Sequence, residues 1–204
     1  MMKYLTLATI LTFGIAATPA TDDPLLARAG AINADLHSYT ATMKAHVTLT
    51  SFPHMSADIV ANVYHKDPDL NKIEVTSGLP IMASQFNHFV LQLEPPSQWD
   101  RLYAVTRESD YGVSTYKLVP KVPGNIDHID AVINDSTALV TELTWTYANG
   151  GTAHIVNTYS KIDGSYVVTA QTGTVNEPSY QGKIDATLDD YKLNAAISDS
   201  TFAQ

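Results

Sequence analysis

The sequence predicts an α+β, mainly β fold: a curved antiparallel sheet covered by one N-terminal helix and a short central helix. Three observations carry this expectation. The hydrophobic period changes from 3.6 to 2 at Tyr39 and stays near 2 over most of the remaining chain. Strand-like runs, roughly ten of them, follow one another through short turns rich in Gly, Pro, Asn and Asp. Two segments alone read as helix, so successive strands pair antiparallel, and their apolar face needs a cover.

The elements follow in order. Residues 1–20 hold one charge, Lys3, then an apolar run from Tyr4 to Ala17 and the small-residue site Thr18-Pro19-Ala20. This reads as a cleavable signal peptide, too short and wrongly flanked to span a membrane, ahead of a single domain at 21–204. Asp22 or Asp23 caps a helix with Pro24 in its first turn and Leu25, Ala29, Ile32 and Leu36 along one stripe, which places it at 24–36. From Tyr39 to Thr50 the alternation is unbroken, with Met43, Ala45, Val47 and Leu49 on one face and Lys44, His46 and Thr48 on the other. Strands are expected at 57–66 and 72–77 around Asp67-Pro68-Asp69, then a short helix at 79–88, an apolar run at 89–93, and a hairpin of 99–108 with 111–119. Residues 126–134 read equally as strand or helical turn. A meander covers 139–147, 152–160 and 165–171, with turns at Asn149-Gly150-Gly151 and Lys161-Ile162-Asp163-Gly164, and a last strand covers 183–193.

Composition narrows the function classes. There is no cysteine, so neither a disulfide scaffold nor lipidation on an N-terminal cysteine applies. The formal charge is −9, and an acidic chain does not invite nucleic acid or an anionic membrane surface. No G-x-S-x-G, H-E-x-x-H, phosphate loop or C-x-x-C occurs, and no histidine pair among His37, His46, His54, His65, His88, His128 and His154 has ligand spacing on one element. Asp127, Asp130 and Asp135 lack the glycine and terminal glutamate of a calcium loop. Asp189-Asp190 reads as charge protecting an edge strand. No cofactor, metal or catalytic set is therefore expected, and the chain reads as a non-enzyme.

The order of several motifs resembles the LolA-like periplasmic lipoprotein-carrier family. The opening helix and long strand (26–49), Val63-Tyr64-His65-Lys66-Asp67-Pro68-Asp69-Leu70, Tyr116-Lys117-Leu118-Val119-Pro120-Lys121 and the Asn149-Gly150-Gly151 meander follow in the family's sequence. Asp67 stands where the carrier proper has an arginine before the proline, and 79–99 is helical and proline-rich where the family has another strand pair. The resemblance implies a half-open barrel, a periplasmic location and a divergent relative of the housekeeping carrier.

On this basis the expected role is carriage of acyl chains of lipoproteins or other envelope lipids on the concave sheet face. The candidate ligand-binding residues are Met43, Val47, Leu49, Ile59, Val63, Ile73, Val75, Leu91, Leu102, Leu118, Leu143, Trp145, Ile155 and Val167. A buried acyl chain gains about 0.8 kcal/mol per methylene without any polar site. Lys66 and Lys72 are placed near the mouth, facing an anionic head group or solvent. The expected partners are a lipid or lipoprotein acyl chain and an inner- or outer-membrane transfer protein, with the carrier itself a monomer. The alternative is an envelope-sensing or assembly module that binds a protein partner through an exposed apolar patch over a filled core.

Overall fold

A computed structural model describes residues 22–51, 54–67, 70–78, 93–178 and 180–203. The expected signal peptide, the 79–88 helix and Leu91 lie outside the described residues.

Asp23 starts the first helix, α1 (Pro24–Gly30): its Oδ1 accepts from the amides of Leu25 at 2.8 Å and Leu26 at 3.3 Å, and Pro24 follows it. The helix stops at Gly30, six residues short of the expected end. Its continuation is a turn because Asn33 bonds the backbone of Tyr166 in both directions, at 2.8 and 2.9 Å. A side chain that bonds a distant backbone competes with helix propagation. Leu36 is buried nonetheless.

The strands are β1 (Ser38–Leu49), β2 (Met55–Lys66), β3 (Leu70–Ser77), β4 (Tyr103–Asp110), β5 (Val113–Pro120), β6 (Ile126–Asn134), β7 (Val140–Tyr147), β8 (Thr152–Ile162), β9 (Ser165–Glu177) and β10 (Tyr180–Leu193). The ambiguous segment at 126–134 is thus a strand. Residues 99–102, expected to open a strand, form a helical turn, α2 (Trp99–Leu102), after a 3₁₀ turn at Pro96–Gln98. Tight hairpins use positive φ: Asp163-Gly164, at +46° and +90°, turns where the sequence signals it, whereas the β4–β5 hairpin, expected to turn at Ser109-Asp110, turns at Tyr111-Gly112, at +41° and +87°.

All ten strands form one antiparallel sheet in the order β3-β2-β1-β10-β9-β8-β7-β6-β5-β4. The meander β4 to β9 joins the meander β1 to β3 through β10, and among the described residues β3 and β4 are the edges. The result is the expected α+β, mainly β architecture, a curved half-open sheet. β10 lies between β1 and β9, but its ladder with β9 ends at Thr187, so at Asp189-Asp190 the strand pairs with β1 alone. The two aspartates are accommodated by a register shift opposite Thr40 and Thr42, where Asp190 adopts a φ of +54°, while Asp189 meets Lys44 Nζ at 2.7 Å.

One face of the sheet is apolar across its width, and two clusters lie on it. The first joins Leu25, Leu26 and Ala29 of α1 and Trp99 of α2 to Tyr116, Leu118, Ile129, Ala131, Leu143, Trp145 and Ile155. The second joins Leu36 to Met43, Ala45, Val47, Ile59, Val63, Val167, Val168, Ile184, Ala186 and Leu188.

Candidate functional site: the concave face

Register places the face residue by residue. Ala57, Val47, Ile184, Gly173, Ile155, Leu143, Ala131, Tyr116 and Arg107 are successive cross-strand partners over nine strands. A period-2 pattern kept in register on nine strands makes one continuous surface. Gly173 sits mid-row because Ile184 leans over it: a Cβ there would lie 2.7 Å from Ile184 Cγ2.

The expected ligand-binding residues divide between the clusters. Leu118, Leu143, Trp145 and Ile155 are buried in the first, with Leu102 partly buried beside them at the end of α2 and not on a strand. Met43, Val47, Ile59, Val63 and Val167 are buried in the second, with Ile73 and Val75 partly buried at the β3 edge. Leu49 is buried on the same strand face as Val47 but belongs to neither cluster.

The first half of the face is filled by protein. Trp99 is fully buried, meets Tyr116 edge-on at 6.0 Å between ring centroids, and donates its indole N–H to Glu94 O at 2.7 Å. Asp23 fastens α1 over this half: the Tyr116 hydroxyl donates to its Oδ2 at 3.0 Å, and Arg107 Nη1 lies 3.2 Å from both oxygens. Burial pushes the Asp23 carboxyl up. The Leu25 amide, the Tyr116 hydroxyl, the Leu26 amide and the Arg107 guanidinium outweigh that and hold it below the ordinary aspartate value. Arg107 also donates to Ser114 Oγ, which in turn donates to Asp135 Oδ1 at 2.7 Å.

The second half differs. Among the described residues, Leu36 is the one side chain from outside the strands that joins its cluster. One end is floored by aromatic rings: Tyr39 stacks on His65 at 5.1 Å and meets Tyr191 at 5.6 Å. Burial pushes the Tyr39 and Tyr191 hydroxyls far up, so both are neutral phenols. The site also has members that the expectations omitted. Asn157 on β8 and Gln171 on β9 are cross-strand partners on this face, both buried, and Gln171 Nε2 donates to Asn157 Oδ1 at 2.8 Å. Their signal was local: Asn157 continues the strand face of Ala153 and Ile155, an apolar position held by an amide.

Lys66 and Lys72, expected to face a head group or solvent, are bonded to the chain itself. Lys66 Nζ donates to Ile197 O at 3.1 Å and pairs with Asp199, and Lys72 Nζ donates to Thr201 O at 2.7 Å. The C-terminal segment, held also by Ser38 Oγ donating to Ala195 O at 2.7 Å, occupies both.

The convex face carries charge. His46 lies between Asp58, 2.6 Å from its Nδ1, and Ser56, 3.0 Å from its Nε2. The connectivity is that of a hydrolytic triad, but Asp58 is 89% exposed and the group lies on an open strand surface. A solvated carboxylate polarises a histidine weakly, and an acyl group would have no enclosing walls. His128 lies 2.7 Å from Asp127 and 3.4 Å from Asp130. Among the described residues no group of three histidines and carboxylates has metal-binding geometry.

No protein-family model matches the sequence, and no curated protein matches it significantly. Solved structures do match the fold. A DUF1329 family protein from Desulfovibrio piger aligns with a TM-score of 0.57 and 12% identity, over 87% of this chain and 94% of its own. A Vibrio parahaemolyticus domain described as an outer membrane lipoprotein-sorting protein gives 0.55 and 10%, over 82% and 89%. A LolA superfamily protein from Nitrosomonas europaea gives 0.52 and 11%, over 93% and 99%. The chain has a LolA-like fold, as its motif order implied.

Proposed function

We propose that this protein is an exported, periplasmic carrier that holds acyl chains of lipoproteins or other envelope lipids on its concave face, without enzymatic activity of its own. The observation that carries the proposal is the second half of that face, an apolar surface from β2 through β1 and β10 to β9 on which Leu36 is the one described side chain from outside the strands. Among the described residues α1 and α2 lie over one half of the sheet, and the proposal seats the ligand against the other apolar half. Ten methylenes laid on it would contribute about 8 kcal/mol before ordering costs. The structural neighbours support this reading, one of them being described as a lipoprotein-sorting protein.

The test is native mass spectrometry of the exported protein with organic extraction, alongside uptake of a fluorescent fatty acid. A co-purifying acyl lipid or acylated peptide, with fluorescent uptake lost in Val47→Glu but retained in the wild type, is the expected result. Val47 and Leu143 are both buried, so the loss of uptake counts only in a Val47→Glu protein whose circular dichroism and melting match the wild type. A clean apo mass with no uptake would refute the carrier reading and favour a module that binds a protein partner.

A further inference from the structure

We propose that Asn149 is a site of spontaneous deamidation held in check by Glu177, and that the acid formed there keeps the β7–β8 turn open once it has opened. The inference is independent of the carrier reading.

The chemistry begins in the sequence. Asn149 precedes Gly150, so no side chain shields the following amide nitrogen from the asparagine carbonyl carbon. Once deprotonated by solvent, the Gly150 nitrogen attacks Asn149 Cγ. The new C–N bond closes a five-membered imide, the Cγ–Nδ2 bond breaks, and ammonia leaves with the proton. Water then opens the imide at either carbonyl and yields aspartate or isoaspartate, so the balance is one water taken up and one ammonia released.

The fold opposes the first step. Gly150 N–H donates to Tyr147 O at 2.9 Å, which engages the nitrogen that must attack. Gly151 N–H donates to Asn149 Oδ1 at 2.8 Å, a side-chain turn of the kind asparagine favours. Asn149 Nδ2 donates to Glu177 Oε2 at 2.8 Å, which ties the turn to β9. The Glu177 carboxylate lies over Gly151, where a Cβ would stand 2.5 Å from its Cδ and Oε2, so a residue without a side chain lets the clamp close. With both ends of its amide held, Asn149 cannot swing onto the Gly150 nitrogen. Reaction therefore proceeds from an opened turn. Asn149 and Gly150 are exposed, and opening here requires no breach of the apolar face.

The product cannot restore the clamp. Its carboxylate has lost the donor that met Glu177, and closure would set two carboxylates where a donor and an acceptor now lie 2.8 Å apart. In the isoaspartate form the main chain also runs through the former side chain, one methylene longer, and the Gly150–Tyr147 bond loses its spacing. Opening reaches the covered half of the sheet, because Tyr147 packs on the first cluster and Ala148 N–H donates to Asn125 O at 2.9 Å.

The experiment incubates the full chain in mildly alkaline buffer and follows conversion at Asn149 by peptide-mapping mass spectrometry. Folded wild type is expected to convert at least about tenfold more slowly than the same chain unfolded in urea. Glu177→Ala should convert about fivefold faster than folded wild type, the value of one exposed charge-assisted hydrogen bond. Glu177→Gln, whose amide oxygen still accepts, should stay within about twofold of wild type. A second measurement uses wild type alone and guards against a variant that misfolds. Converted and unconverted protein are separated by ion exchange, and the Gly150 and Gly151 amides should exchange hydrogen about tenfold faster in the converted fraction. Equal rates in folded and unfolded wild type, or a rate in folded Glu177→Ala that is unchanged, slower or nil, would overturn the restraint by Glu177. Equal exchange in the two fractions would overturn the lasting opening.

Discussion

Asp23 ties the sequence-local helix cap to the long-range closure of α1 over the sheet, and the two contributions can be separated. Asp23→Ala removes the cap, worth about 1 kcal/mol. It also removes charge-assisted bonds to the Tyr116 hydroxyl and to Arg107, together worth about 2 kcal/mol after discounting for an Arg107 side chain that is 34% exposed. The expected loss is about 3 kcal/mol. Asp23→Asn keeps an oxygen for the Leu25 and Leu26 amides and loses the charge, so about half of that loss remains. At 2–4 °C per kcal/mol for a chain of this length, melting should fall by about 9 °C and about 4 °C respectively. The carboxyl of the folded protein titrates below its unfolded value, about 3.9. Its stabilisation is therefore complete above the unfolded value and disappears as pH falls through the folded one. Thermal unfolding followed by circular dichroism from pH 7 to pH 2.5 should show the Asp23→Asn difference at neutral pH and its narrowing below about pH 4. A difference that is the same at both ends of that range, or no difference at pH 7, would refute the reasoning.

Two further outcomes are expected. Trp145→Ala, at a position 1% exposed under α1 and α2, should cost about 3–5 kcal/mol and lower the melting temperature by about 10 °C, measured by the same assay. Replacing Lys66 and Lys72 together by Ala should free the segment at 194–203 for limited proteolysis while shifting melting by less than about 3 °C, since ion pairs of this exposure contribute little.

Much of the fold was legible because alternation is local. In β1 the twelve-residue period declares which side chains share a face, and Asn149-Gly150-Gly151 and Asp163-Gly164 declare turns because positive φ restricts residue choice. The length of α1 was misjudged because the signal that ends it, Asn33 bonding the Tyr166 backbone, comes from 133 residues away. The partners of Lys66 and Lys72 were missed for the same kind of reason: their acceptors lie in a C-terminal segment more than 125 residues distant. Asn157 escaped attention because its residue type was weighed above its place in the alternation, which puts it on the face of Ala153 and Ile155.

The sequence by itself determined the mainly β class, the apolar face of each strand and the absence of the common catalytic motifs, since each depends on neighbours a few residues apart. Tertiary structure alone decided that β10 inserts between β1 and β9 and that the Asp189-Asp190 pair falls at a bulge against β1, beyond the end of the β9 ladder. It also decided that α1 and α2 cover one half of the face, and that two amides fourteen residues apart meet on that face. Strand pairing is a choice among distant partners whose backbones all offer the same hydrogen bonds. That choice is made by packing and register over the whole sheet, which no local pattern encodes.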